Sequence, residues 1–162
     1  MSTSFDLIFT VFFDKIENDS EFFNYYNLTN EEALELATSR AESYLKESIA
    51  KLTLKCTPDI DFTDVNWETK VLNENLNLTE IDLLGNLMFE MYLHKTISKL
   101  KGLEVNFTPK DLQVFSPSNS RKTFMDMYNE VKKDNLKLIA DYASVDRLTG
   151  KKKTINYSEY SD

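Results

Sequence analysis

The stretch Thr79–Leu100, TEIDLLGNLMFEMYLHKTISKL, carries apolar side chains around too much of a helix's circumference to lie on a surface. Ile81, Leu84, Met88 and Met91 recur along one stripe, and Leu83, Leu87 and Ile97 along a second. A helix that is apolar on several sides has to be buried on several sides, so the rest of the chain is expected to wrap it. Thr79 stands where a hydroxyl caps the first turn, Asp82 follows it, and Gly102 is placed to close the helix after Lys99 and Lys101. Glu80, Asp82, Glu90, His94 and Lys95 break the apolarity, so the segment is read as a core helix and not as a membrane span.

The flanking segments supply the wrapping. Ser4–Glu17 places Phe5, Ile8, Phe9, Phe12, Phe13 and Ile16 at helical spacing behind a Ser4 cap. That aromatic face needs a partner, either the central helix or another subunit. The linker Asn18–Asn27 carries Phe22, Phe23, Tyr25 and Tyr26 and is expected to pack down. Thr29 and Glu32 form a capping box for a second helix that ends near Lys55–Cys56. Thr57–Leu78 is irregular, pinned by Ile60, Phe62, Val65, Trp67, Val71 and Leu72. Thr108-Pro109 begins a short helical turn over Asp111–Phe115. Ser116-Pro117 begins the longest helix, to about Tyr142–Ala143, with Phe124, Met127, Tyr128, Val131, Leu138, Ile139 and Tyr142 inward. With 3 Gly and 3 Pro in 162 residues there is little turn chemistry for a sandwich or barrel. The fold class expected is all-α: a small helical bundle around a central buried helix, spanning residues 1–143.

Residues 144–162 differ in character and read as a C-terminal arm. Arg147, Lys151, Lys152 and Lys153 make a basic patch on a chain of net charge −8, followed by Tyr157 and Tyr160. Leu148-Thr149-Gly150-Lys151 suits a hairpin turn with Lys153–Tyr157 returning, and a frayed terminus is the other reading. The six named residues are the expected partner interface: cations without core partners, and aromatics of the kind enriched in contacts. The arm is expected to be mobile in the free subunit and to order on assembly, as a strand added to a partner's edge.

Parts for catalysis are not recognisable. His94 is the only histidine and sits inside the apolar helix, where a core or interface role is the simpler expectation. No Gly-rich phosphate loop, CxxC or HExxH occurs. Asp59, Asp61, Asp64 and Glu68 resemble a calcium loop only in charge, because the stretch has no Gly. No catalytic residue, cofactor or metal is therefore expected. One cysteine, Cys56, fits a reducing compartment and a half-buried thiol, and MSTSFDLIFTVFFDK lacks the basic start of a signal peptide. Asn27-Leu28-Thr29, Asn77-Leu78-Thr79 and Asn106-Phe107-Thr108 match glycosylation acceptors, but each precedes a helix start and is better read as capping. The acidic balance argues against gripping DNA, which needs clustered cations.

Two segments carry a family likeness. The first is Leu28–Cys56, LTNEEALELATSRAESYLKESIAKLTLKC; the second runs from LNENLNLTEIDLLGNLMFEMYLHKTI through VFSPSNSRKTFMDMYNEV to LIADYASVD. Their order resembles small connector proteins from the neck of tailed bacteriophages of Gram-positive bacteria. The matching residues are Leu78, Thr79, Glu80, Ile81, Met88, Tyr92, Leu93, Phe115, Ser116, Asn119 and the Tyr142-Ala143-Ser144 end. The chain departs at Tyr92, where Trp is common, and in having Pro117. The resemblance implies a head-to-tail adaptor in the virion neck, made in the host cytoplasm. It implies a homo-oligomeric ring, usually twelve-fold, joined to the portal protein and to the next neck or stopper protein. DNA would pass through without sequence-specific binding, and an acidic lining would repel the duplex and let it slide. The alternative class is a small acidic cytoplasmic regulator that binds a protein partner through its aromatic first helix.

Overall fold

Ser4 turns the chain from strand into helix: its hydroxyl accepts from the Asp6 backbone N–H at 3.2 Å, freeing the next residues to wind. The computed structural model describes residues 2–17, 20–23, 28–106 and 117–154. The described residues are mostly helical, with only a few in strand, so the fold is a small all-α bundle. The helices are α1 (Phe5–Lys15), α2 (Ser20–Phe23), α3 (Asn30–Lys55), α4 (Leu78–Asn106) and α5 (Pro117–Ser144).

Helix α4 is the shared partner, packing against α1, α3 and α5. Leu84, Leu87, Met88 and Leu93 are fully buried on it, joined by Leu83, Ile81 and Tyr92. Both apolar stripes therefore find cover, as the sequence demands. Helix α1 sends Phe5, Ile8 and Phe12 into the same core, and Phe12 meets Phe22, Tyr44 and Tyr92 edge-on at 5.6–6.4 Å. Burying each such side chain stabilises the fold by about 1.5–3 kcal/mol. Gly85 lets the two helices close together: a Cβ there would stand 2.5 Å from Val11 Cγ1.

Two expectations about α4 need correction. Its cap is Asn77, not Thr79: Asn77 Oδ1 accepts from the Glu80 N–H at 2.9 Å, and Glu80 Oε2 accepts from the Asn77 N–H at 2.8 Å. Asn-x-x-Glu satisfies two end donors reciprocally, which Thr79 with Asp82 does not. Gly102 does not stop the helix, which runs through to Asn106. One Gly costs a helix only about 1 kcal/mol, too little to end it without other signals. At 29 residues α4 is also one residue longer than α5, which was expected to be longest.

The other helices begin and end close to where their caps predict. Thr29 and Glu32 form the full capping box of α3, which ends at Lys55. The expected turn over Asp111–Phe115 and the side chains of Tyr25 and Tyr26 lie outside the described residues, while Phe22 is buried and Phe23 half-buried.

A small antiparallel sheet is an element the periodicity does not announce. Strands β1 (Thr3–Ser4), β2 (Val65–Asn66) and β3 (Val71–Leu72) lie in the order β1-β3-β2, with Thr3 opposite Leu72 and Val65 opposite Leu72. Thr3 fixes the corner, its hydroxyl donating to Glu74 O at 2.9 Å and accepting from the Leu76 N–H at 2.8 Å. The segment between α3 and α4 is held down as expected: Phe62 and Leu72 are buried, and Ile60, Val65 and Trp67 pack on the core.

Candidate functional site

The capping box of α4 does more than start a helix. Its carboxylate, Glu80, has no exposed surface and gathers donors from its own cap and from the C-terminal part of the chain. Oε1 accepts from Arg147 Nε at 2.6 Å and from the Tyr142 hydroxyl at 3.2 Å; Oε2 accepts from Arg147 Nη2 at 3.1 Å as well as from the Asn77 N–H. Arg147 Nη2 also donates to Asn75 O. A planar guanidinium gripping both carboxylate oxygens is the strong, oriented form of an ion pair. Burial and the adjacent Glu80 charge push the Tyr142 hydroxyl well above the ordinary tyrosine range, so it stays a donor.

Arg147 belongs to a turn that follows α5. Lys153 N–H donates to Ser144 O at 2.7 Å, Asp146 N–H to Lys151 O at 2.8 Å and Gly150 N–H to Asp146 O at 2.8 Å, with Val145 bridged to Lys152. Gly150 takes φ +67°, which a side chain disfavours. Asp146 Oδ1 accepts from the Thr149 N–H and hydroxyl, both at 2.7 Å. On the body, Asp59 completes the attachment, accepting from the Arg147 N–H at 3.1 Å and from Lys153 Nζ at 2.6 Å. The bonds from Lys153 and from the Arg147 N–H hold the Asp59 carboxyl below the usual carboxylate range.

A turn closes around Gly150 as expected, with one bridge from Val145 to Lys152, and it is latched onto the bundle; most of the returning strand expected over Lys153–Tyr157 lies outside the described residues. The expectation that the cations of this segment lack partners in the isolated chain does not hold for Arg147 and Lys153, because Glu80 and Asp59 are buried or placed to receive them. Lys151 and Lys152 are exposed, and Tyr157 and Tyr160 lie outside the described residues. Leu54, Leu78 and Leu148, each close in sequence to a latch residue, are 84%, 85% and 88% exposed, and Leu148 shares the turn with the exposed Lys151 and Lys152.

A second buried polar knot lies along α4. Glu90 accepts from Asn135 Nδ2 at 3.0 Å and from Lys51 Nζ, and Asn135 Nδ2 also donates to Asn86 O at 3.1 Å. Asn135 and Glu90 are almost fully buried, so this knot fixes how α3, α4 and α5 sit in register. Asn135 sits on the inward stripe of α5 with Phe124, Tyr128, Val131, Ile139 and Tyr142, a polar residue in an apolar pattern that marks a buried hydrogen bond.

The remaining candidates settle simply. His94 is exposed, its ring 5.7 Å from Tyr128, so it is not a core histidine. Cys56 is half-buried and its thiol donates to Leu52 O at 3.5 Å; burial raises its pKa, with the Lys153 charge opposing. Asp61 binds the Thr63 N–H at 2.8 Å, and Asp64 accepts from Asn73 Nδ2 at 2.7 Å, so these acids serve the local turns. Among the described residues no group of three or more His, Cys, Asp or Glu is arranged to hold a metal. No described helix is long and apolar enough to cross a membrane.

No protein-family model matches the chain, and neither a curated protein nor a solved structure matches it with significance.

Proposed function

We propose that this chain is a structural, non-enzymatic subunit of a phage neck: a head-to-tail connector that forms a ring between the portal and the protein below it. One observation carries the reading. Two of the matching residues, Glu80 and Tyr142, stand far apart within the second resembling segment and meet through a 3.2 Å hydrogen bond. Motif residues that close one buried knot are under a common structural demand, which supports a shared fold over a coincidence of composition. Ile81, Met88, Tyr92 and Leu93, also from the matching set, are all buried around the same helix.

The latched end suits attachment to a second protein. Leu148, exposed on the same turn as Lys151 and Lys152, sets apolar area beside charge, the combination found at protein contacts. Residues 155–162, with Tyr157 and Tyr160, continue from that end. Their docking on the partner is part of the proposal.

The test is electron microscopy of the purified chain mixed with the portal protein encoded beside it. The reading predicts added ring density on one face of the portal, lost when Leu148, Lys151 and Lys152 are replaced together by Asp. Portal rings that stay bare at high concentrations of the wild-type chain would contradict it.

A further inference from the structure

Along the described chain the apolar core ends at Tyr142. None of residues 145–154 is buried: Val145, Asp146 and Arg147 are partly covered, and the others are exposed. What holds this segment on the bundle is polar. The Arg147 guanidinium donates to Glu80 and to Asn75 O, and Asp59 accepts from the Arg147 N–H and from Lys153 Nζ. Within the segment there are one bridge, from Val145 to Lys152, and the bonds that Asp146 makes with Thr149, Gly150 and Lys151. A hairpin this small does not keep its shape away from a supporting surface, so detaching it and melting it are one event. The bundle beneath is held by apolar burial in which the segment has no share.

The two anchors are unequal. Glu80 has no exposed side-chain surface and Arg147 has 21%, whereas Asp59 and Lys153 have 31% and 41%. Water screens the second pair, while the first is bidentate and largely out of water. We infer that residues 145–154 are a strap that lifts from the bundle as one unit while α1 to α5 stay folded, and that Arg147 on Glu80 is the catch. With the strap down, both carboxylates are occupied. With it up, Glu80, Asp59 and Asn75 O are bared together, an acceptor set shaped for one guanidinium and one ammonium. The strap is assigned by burial and bonding, independently of the connector reading, so its failure would leave the portal test untouched.

The experiment is amide hydrogen exchange of the full chain, read by NMR at neutral pH. The probes are the N–H groups of Asp146, Arg147, Thr149, Gly150 and Lys153, each bonded when the strap is down. The reference is Leu84, Leu87 and Met88, buried in α4. The five probes are expected to share one protection factor, clearly above that of free chain and at least about tenfold below the reference. Lys153→Ala is expected to lower all five together by about twofold, and Arg147→Lys, which loses the fork, by at least about tenfold. The reference amides lose the same factor in each variant, because the lifted form keeps the bundle and contains none of the altered contacts. The gap between strap and α4 is therefore unchanged. Probes as protected as α4 in the wild type overturn the inference, since the segment then opens only when the bundle unfolds. Probes without protection overturn it too, as do five unrelated protection factors. An Arg147→Lys effect no larger than that of Lys153→Ala removes Arg147 as the catch. The wild-type measurement needs no variant, so it decides on the strap even where a substitution impairs folding.

Discussion

Glu80 is a fully buried carboxylate whose partners come from Asn77, Tyr142 and Arg147, and its cost in isolation is what gives the hairpin its hold. Removing one partner of a buried pair leaves the other charge without compensation. Arg147→Ala is expected to cost about 3 kcal/mol in denaturant unfolding, and Lys152→Ala, on the exposed side of the same turn, close to nothing. Equal small losses at both positions would show that the latch adds no stability. Deletion of the arm is for the same reason expected to destabilise the bundle. Tyr142 offers a second check. Its folded pKa lies above the ordinary value near 10, so the stability it contributes is complete below about pH 10 and is lost only as pH rises toward the raised value. Alkaline absorbance titration of the wild type and Tyr142→Phe should therefore show the same number of phenolates up to about pH 11. One fewer in the variant would mean that Tyr142 titrates normally. At this scale the sequence was half readable. Asn77-x-x-Glu80 is a legible capping box that Thr79 masks by being an equally good cap, but nothing local in Arg147 points to a carboxylate 67 residues earlier.

Among the elements, α4 sets the hierarchy. Because Leu87 and Met88 are fully buried between α1, α3 and α5, Leu87→Ala or Met88→Ala is expected to lower stability by about 2–5 kcal/mol, read from the unfolding midpoint. Losses under about 1 kcal/mol at both would move the core elsewhere. The helices were legible because each buries a stripe and the stripe repeats in the sequence. The sheet was not, because strands of two residues are too short for alternation to register, and Thr3–Ser4 pairs with a strand almost 70 residues later. Leu138 and Met127, read as inward on α5, are 40% exposed instead. Their stripe lies beside the one that α4 covers, and the apolar arc of the helix is wider than its one main partner.

The whole molecule combines a bundle built around α4 with a C-terminal turn latched to it through Glu80 and Asp59. The two buried carboxylates, Glu80 and Glu90, are each held by donors from other helices or from the C-terminal turn. The proposed function rests on the resemblance, since neither composition nor the knots at Glu80 and Glu90 name a partner. The most direct measurement is therefore made on the particle. Phage assembled without this chain should yield filled heads and free tails that do not join, and adding the purified chain back should restore joined particles. Tailed, infectious particles formed at normal yield in its absence would contradict the connector role.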